Sequence, residues 1–200
     1  MKKLLLSLCV LCLLVCGCSQ TAKPSNTVDI FLKEGKNAGN NNLADLGLDS
    51  LEGETGMDFD EETLTSLVNA IGDYDYVVNS EKEDGDTATV NVTITTYDFS
   101  EWIVNALTES ISQAFALALT GETSDEAINE VMNKVFKEQT DAVIAAGKTK
   151  STTVDIICKK VDGNWVVDEE ASGVALADAL SGGMLSSMEG LEDQLANMLG

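Results

Sequence analysis

The sequence predicts an α+β fold. It reads as a curved antiparallel sheet of about four strands wrapped on helices, with a helical hairpin inserted between two β-hairpins and a helix at the C-terminus. Three observations predict it. Two Asp-Gly pairs, Asp84-Gly85 and Asp162-Gly163, each interrupt stretches in which apolar and polar residues alternate, the signature of β-hairpins with two-residue turns. Between them, residues 99–147 change to a helical period. Hairpins and helices that are segregated in this way, without strict βα alternation, indicate α+β.

The elements follow in order. Val28, Phe31 and Leu32 have helical spacing, and Gly35 to Asn42 is expected to break that helix. A second helix starts at Asp60, which can cap it, with Phe59 and Leu64 placed as a hydrophobic staple and Gly72 as the stop. Tyr74, Tyr76 and Val78 then alternate with polar residues. After the first turn, Ala88, Val90, Val92 and Ile94 form one face and a threonine-rich row forms the other, as in a sheet covered on one side only. Asp98 and Glu101, and later Thr123 and Glu126, have capping-box spacing. The first helix of the hairpin carries apolar residues from Phe99 and Trp102 through Ile111, Phe115 and Leu119 to Gly121. The second carries Ile128, Val131, Met132, Val135, Phe136, Val143 and Ala146 and closes at Gly147. Val154, Ile156 and Cys158 share a strand face, and Asn164-Trp165-Val166-Val167-Asp168 follows the second turn. Gly182-Gly183 is read as a hinge before a final helix with Met184, Leu185, Met188, Leu191, Leu195 and Met198 on its apolar side.

Composition excludes much. The 200 residues contain 34 acids against 12 cations, all of them lysine, for a net charge of −22. Nucleic acid is excluded as a partner, because binding it requires a basic surface. With no histidine and no arginine, imidazole catalysis, zinc sites built on histidine and guanidinium clamps are unavailable.

The N-terminus reads as an export signal. Lys2 and Lys3 precede an apolar run from Leu4 to Val15, too short for the roughly 20 residues that span a bilayer but suited to a secretory signal. The run ends in Val15-Cys16-Gly17-Cys18. This resembles the bacterial lipobox, which implies cleavage after Gly17 and diacylglycerol on the Cys18 sulfur. The alternatives are an ordinary signal cut near Cys18 and an uncleaved anchor. Two acyl chains anchor stably where one does not, so the protein is expected at the cell membrane, lipid-anchored on the extracytoplasmic face. The domain organisation is then a signal peptide at 1–17, a tether at 18–26, an α+β domain at 27–181 with the hairpin 99–147 inserted, and an amphipathic helix at 182–200.

With these motifs in view, the chain resembles small bacterial lipoproteins, mainly of Gram-positive, Clostridia-like gut bacteria, that carry a nuclear-transport-factor-2-like domain of unknown function. The likeness rests on the lipobox, the opening helix near Val28 to Leu32, the run from Glu83 to Ala88 leading into a valine-rich strand, and the run from Asp162 to Asp168. It also rests on the hairpin around Ser112 to Phe115. The resemblance implies a cone-shaped sheet and no particular reaction, since one fold hosts many functions.

Candidate sites are therefore few. No catalytic residue, cofactor or metal site is expected, and the domain is read as a monomeric, non-enzymatic module for a protein partner or a small apolar ligand. Tyr76, Tyr97, Trp102 and Trp165 are the weak candidates for lining a ligand site, with a core role as the alternative. Two other classes stay open. Asp75 or Asp155 could serve as a general base in the cone. Asp58, Asp60 and Glu62 have calcium-loop spacing but lack the glycine and the distal bidentate glutamate of such loops. Cys158 is read as a buried, inert thiol.

Overall fold

The structure, a computed structural model, describes residues 23–38 and 60–199, with side chains at 23–36 and 60–191. These residues form α1 (Pro24–Ala38), α2 (Glu61–Gly72), β1 (Asp75–Asp84), β2 (Thr87–Thr96), α3 (Trp102–Leu119), α4 (Asp125–Ala146), β3 (Lys150–Val161), β4 (Asn164–Val167), α5 (Glu169–Leu180) and α6 (Met184–Leu199). The fold is α+β, as expected. The sheet is antiparallel in the order β1-β2-β3-β4 and is not closed into a barrel.

Alternation decides which sheet face is covered. Val90, Val92, Ile94, Ile156 and Cys158 are fully buried and pack with Val28 and Leu32 of α1 and with Leu176 and Ala179 of α5. The opposite face is a polar ladder across the strands. Asn79 Nδ2 donates to Asn91 Oδ1 and Thr93 Oγ1, each at 2.9 Å, Asn91 Nδ2 donates to Asp155 Oδ1 at 2.6 Å, and the Thr93–Thr153 and Thr95–Ser151 hydroxyls pair at 3.0 Å. Asn79 is the extra residue of a bulge in β1, which with the charged run Glu81 to Asp84 blunts that edge against further pairing.

The turns are specific. Asp162 (φ 52°) and Gly163 (φ 79°) are both left-handed, as a type I′ turn requires. In the first hairpin Asp84 pairs with Thr87. The turn pair is therefore Gly85-Asp86, one residue later than the sequence suggests, with the positive φ at Gly85 alone as in type II′.

A second core lies beyond the sheet. Leu67 and Ala70 of α2, Phe99, Trp102 and Ala106, Val135 and Phe136 of α4, and Met184 of α6 form a helical cluster. The α3–α4 hairpin is thus a separate layer joined to the end of the sheet where β2 stops and β3 starts.

Several boundaries differ from expectation. Gly35 does not break α1. The Tyr74 hydroxyl sits 2.8 Å from where its Cβ would be and donates to Leu32 O at 2.6 Å, so glycine permits a close approach inside the helix. Residues 24–26, read as tether, already belong to α1, with Pro24 in the first turn, where its missing N–H costs nothing. Neither capping box forms. Asp98 accepts from Ser100 N and Oγ in a local turn, and α3 starts at Trp102 without a side-chain cap. α4 is capped by Ser124, which accepts from Ala127 N, one residue after Thr123. Asp60 does cap α2, accepting from Thr63 N at 2.7 Å, while its expected staple partner Phe59 lies outside the described residues.

Helix α5 is absent from the sequence prediction. Its apolar residues run around the helix (Ala175, Leu176, Ala177, Ala179, Leu180) and give no stripe. Its usable signal is the start, where Asp168 accepts from Ala171 N ahead of Glu169 and Glu170. The Ser172 hydroxyl accepts from Ile157 N at 2.8 Å and ties α5 to β3 just past the end of β4. Gly182-Gly183 is a packed turn and not a hinge: Phe99 N donates to Gly182 O at 3.0 Å, and Gly182 presses on Tyr97 O. Met184 and Met188 of α6 then pack into the helical core, so this part of the helix docks on its own chain; the side chains of Leu195 and Met198 lie outside the description.

Cys158 is a free thiol in the sheet core, fully buried. Burial, reinforced by the charges of Asp168 and Glu81, pushes its pKa from 9.0 up to about 11. A group that holds its proton more tightly when folded contributes full stability below its unfolded pKa and loses it as pH rises toward the folded one. Between pH 9 and 11 this thiol should therefore cost about 2–3 kcal/mol of stability. Urea unfolding of the protein and of Cys158→Ala across that range should show a shallower pH slope in the variant. Parallel slopes would contradict the assignment.

Candidate functional site

The four candidate aromatics fall in two places. Tyr76 packs against the sheet core, its hydroxyl donating to Asp29 O at 3.2 Å and Oδ1 at 2.8 Å. Burial first, and Asp29 second, push the phenol up to about 12. Trp165 lies in the same core with the Lys160 ammonium 4.5 Å from its ring centre. Trp102 lies in the helical core, edge-on to Phe99 (6.0 Å) and Phe136 (5.3 Å), and its indole N–H donates to Thr140 Oγ1 at 3.0 Å. Tyr97 packs against that second core. The structure does not bring the four together into one lining.

Charge concentrates instead where the two cores meet. The Lys148 ammonium lies 2.6 Å from Asp73 Oδ1 and 3.2 Å from Asp75 Oδ2. Tyr97 donates to Asp73 Oδ2 at 2.9 Å, and Lys36 stands 3.5 Å from Asp75 Oδ1. Lys150 approaches Asp98 at 3.6 Å. The hydrogen bond from Lys148 is the chief cause that holds the Asp73 carboxyl below its ordinary range. The hydrogen bond that Tyr97 itself donates to Asp73 is the chief cause that lifts its phenol. Partial burial works against the charge on Lys148, but its bonds to Asp73 and Asp75 outweigh it and keep the ammonium charged above its usual pKa. Asp73, Asp75, Tyr97, Asp98, Lys148 and Lys150 sit at three connections between sheet and helical layer, α2 to β1, β2 to α3 and α4 to β3, and Lys36 reaches in from α1. The arrangement fixes the joint between the layers. Sequence reasoning missed it because its bonded partners lie 24–75 positions apart and belong to no motif.

The acids weighed for catalysis and calcium have other partners. Asp75 is exposed and shared between Lys36 and Lys148. Asp155 is exposed on the polar sheet face and accepts from Asn91. Neither is enclosed by a cone. Asp60 caps α2 and Glu62 faces Lys137 at 3.5 Å; Asp58 lies outside the described residues. Among the described residues no three acids or cysteines converge to hold a metal ion. Gly17 and Cys18 also lie outside the described residues, and among the described ones no helix is long and apolar enough to cross a membrane.

The unexpected feature is helix α3, which is apolar on two opposite sides. Trp102, Ala106 and Ser110 are buried, with Ile103 and Leu107 packed beside them. The other side carries Val104, Ile111, Phe115 and Leu119, and the last three are 69%, 67% and 74% exposed. The sequence reading ran Ile111, Phe115 and Leu119 in one apolar series with Phe99 and Trp102. The structure divides that series between two faces, because α4 and α6 pack on the Trp102–Ala106 side alone.

No family model matches the chain, and no curated protein matches it. Among solved structures, a Bacillus subtilis protein, YcdA, described as a candidate lipoprotein, is similar at 17% identity and a TM-score of 0.44, over 79% of this chain and 47% of that one. The chain therefore spans less than half the length of that protein.

Proposed function

We propose that this protein is a lipid-anchored, extracytoplasmic lipoprotein whose α+β domain is a non-enzymatic binding module. The observation that carries it is the run from Lys2 to Cys18, in which a short basic start, an apolar stretch and the lipobox-like Val15-Cys16-Gly17-Cys18 follow in order. The nuclear-transport-factor-2-like assignment belongs to the same proposal and rests on the strand and turn patterns around Asp84 and Asp162. Absence of histidine and arginine removes the commonest catalytic and anion-binding groups. The charge-rich centre at Lys148 is used to join two layers, which suits a scaffold that presents a surface.

The test is Cys18→Ala in the native host, with a clickable fatty acid as label and fractionation of membranes. The wild type should take up label and sediment with membranes. The variant should take up none and leave the membrane fraction. Equal partition of unlabelled wild type and variant would overturn the anchor.

A further inference from the structure

We propose that the outward face of α3, built from Val104, Ile111, Phe115 and Leu119, docks a protein partner that presents an apolar surface flanked by lysine or arginine. This names the partner surface of the binding module above and rests on that reading. Isolated exposed apolar residues are ordinary, but contiguous apolar patches mark interaction sites. Here Ile111, Phe115 and Leu119 follow at intervals of four, one helical face, with Val104 about two turns before Ile111 on the same side. Rotating α3 to hide them would expose Trp102 and Ala106, so no rotation of the helix buries both faces at once. An amphipathic helix laid in a groove is a recurrent recognition mode, and a central aromatic such as Phe115 is its usual anchor.

Charge selects the occupant. Residues 83–133 contain no lysine, while the distal half of the hairpin carries Glu109, Glu122, Asp125, Glu126 and Glu130, all exposed. A second copy would set two acidic rims against each other in a chain of net charge −22. A bilayer is disfavoured because interfacial helices carry Lys and Arg beside their apolar side. Position agrees. The start of α1, the end that follows Cys18 in sequence, is held at the turn end of the sheet by Ser25 N to Glu81 Oε2 (3.0 Å) and Thr27 Oγ1 to Trp165 O (3.3 Å). The hairpin is rooted at the other end, between Thr96 and Lys150, ~30 Å away along the strands.

The experiment uses the exported chain carrying Cys18→Ala, so that no lipid competes. Two designed helical peptides with the same leucine face serve as probes, one with a lysine and one with a glutamate polar face. By calorimetry the lysine peptide should bind saturably at one per chain, and Ile111→Ser with Phe115→Ser should weaken it at least tenfold while leaving the melting temperature nearly unchanged. Leu119→Ser provides a second variant if the first fails to fold. Equal binding to wild type and variant would reduce the effect to charge alone and overturn the proposal. Equal binding of the glutamate peptide would overturn the partner chemistry. A stripe-dependent dimer by sedimentation, or stripe-dependent flotation with phosphatidylglycerol vesicles, would assign the face to a second copy or to lipid and overturn it as well. Since the chain tested has no lipid, failure of the anchor at Cys18 and failure of the docking face are read separately.

Discussion

Replacing Gly182 by alanine is expected to lower stability by about 3 kcal/mol or more, because two penalties fall on one residue. Gly182 has φ 60°, and its added Cβ would lie 2.0 Å from Tyr97 O and 3.1 Å from Phe99 N. The left-handed conformation alone costs roughly 1–2 kcal/mol for a residue with a side chain. The obstruction is backbone, which cannot step aside as a flexible side chain would. It also holds the Phe99 N to Gly182 O bond that joins the helical core to the turn before α6. Gly190, inside α6 with open space around it, is the control: alanine there should stabilise by up to about 1 kcal/mol through helix propensity. Urea midpoints of the two variants should move in opposite directions. A Gly182→Ala variant as mild as Gly190→Ala would mean that the close approach does not exist.

Phe136→Ala is expected to cost about 3–5 kcal/mol, the range for deleting a fully buried aromatic ring. Phe136 is fully buried, stacks edge-on with Trp102 at 5.3 Å, and accepts at its carbonyl from Thr140, whose hydroxyl in turn receives the Trp102 indole. The damage should be regional, because the sheet packs on α1 and α5 in a cluster that does not contain Phe136. Hydrogen exchange should show protection falling in α2, α3 and α4 while β2 and β3 keep theirs. Uniform loss through both layers would show instead that the two cores unfold as one.

The strands were legible in the sequence because one face of the sheet is buried and the other is wet, so period two is enforced residue by residue from Ala88 to Ile94. The Asp162-Gly163 turn was legible because few residue pairs tolerate two positive φ values. What was not legible depends on neighbours distant in sequence. Gly35 and Gly182 look like breakers, but each is glycine because another chain segment presses on it. Helix α5 covers β3 with apolar residues on several sides and shows no stripe to read. In α3 a helical period was evident, but two apolar faces compete for one core, and only the docking of α4 and α6 decides that Trp102 goes in and Phe115 stays out. The candidate aromatics failed to form a site for a related reason: alternation places a side chain on a face but does not say which of two cores that face joins.

The most direct test of the lipid-anchored module is the intact mass of the protein extracted from the membranes of its native host. The expected species begins at Cys18 and carries a diacylglyceryl group on that residue. A full-length chain from Met1, or an unmodified chain cut near Cys18, would contradict it.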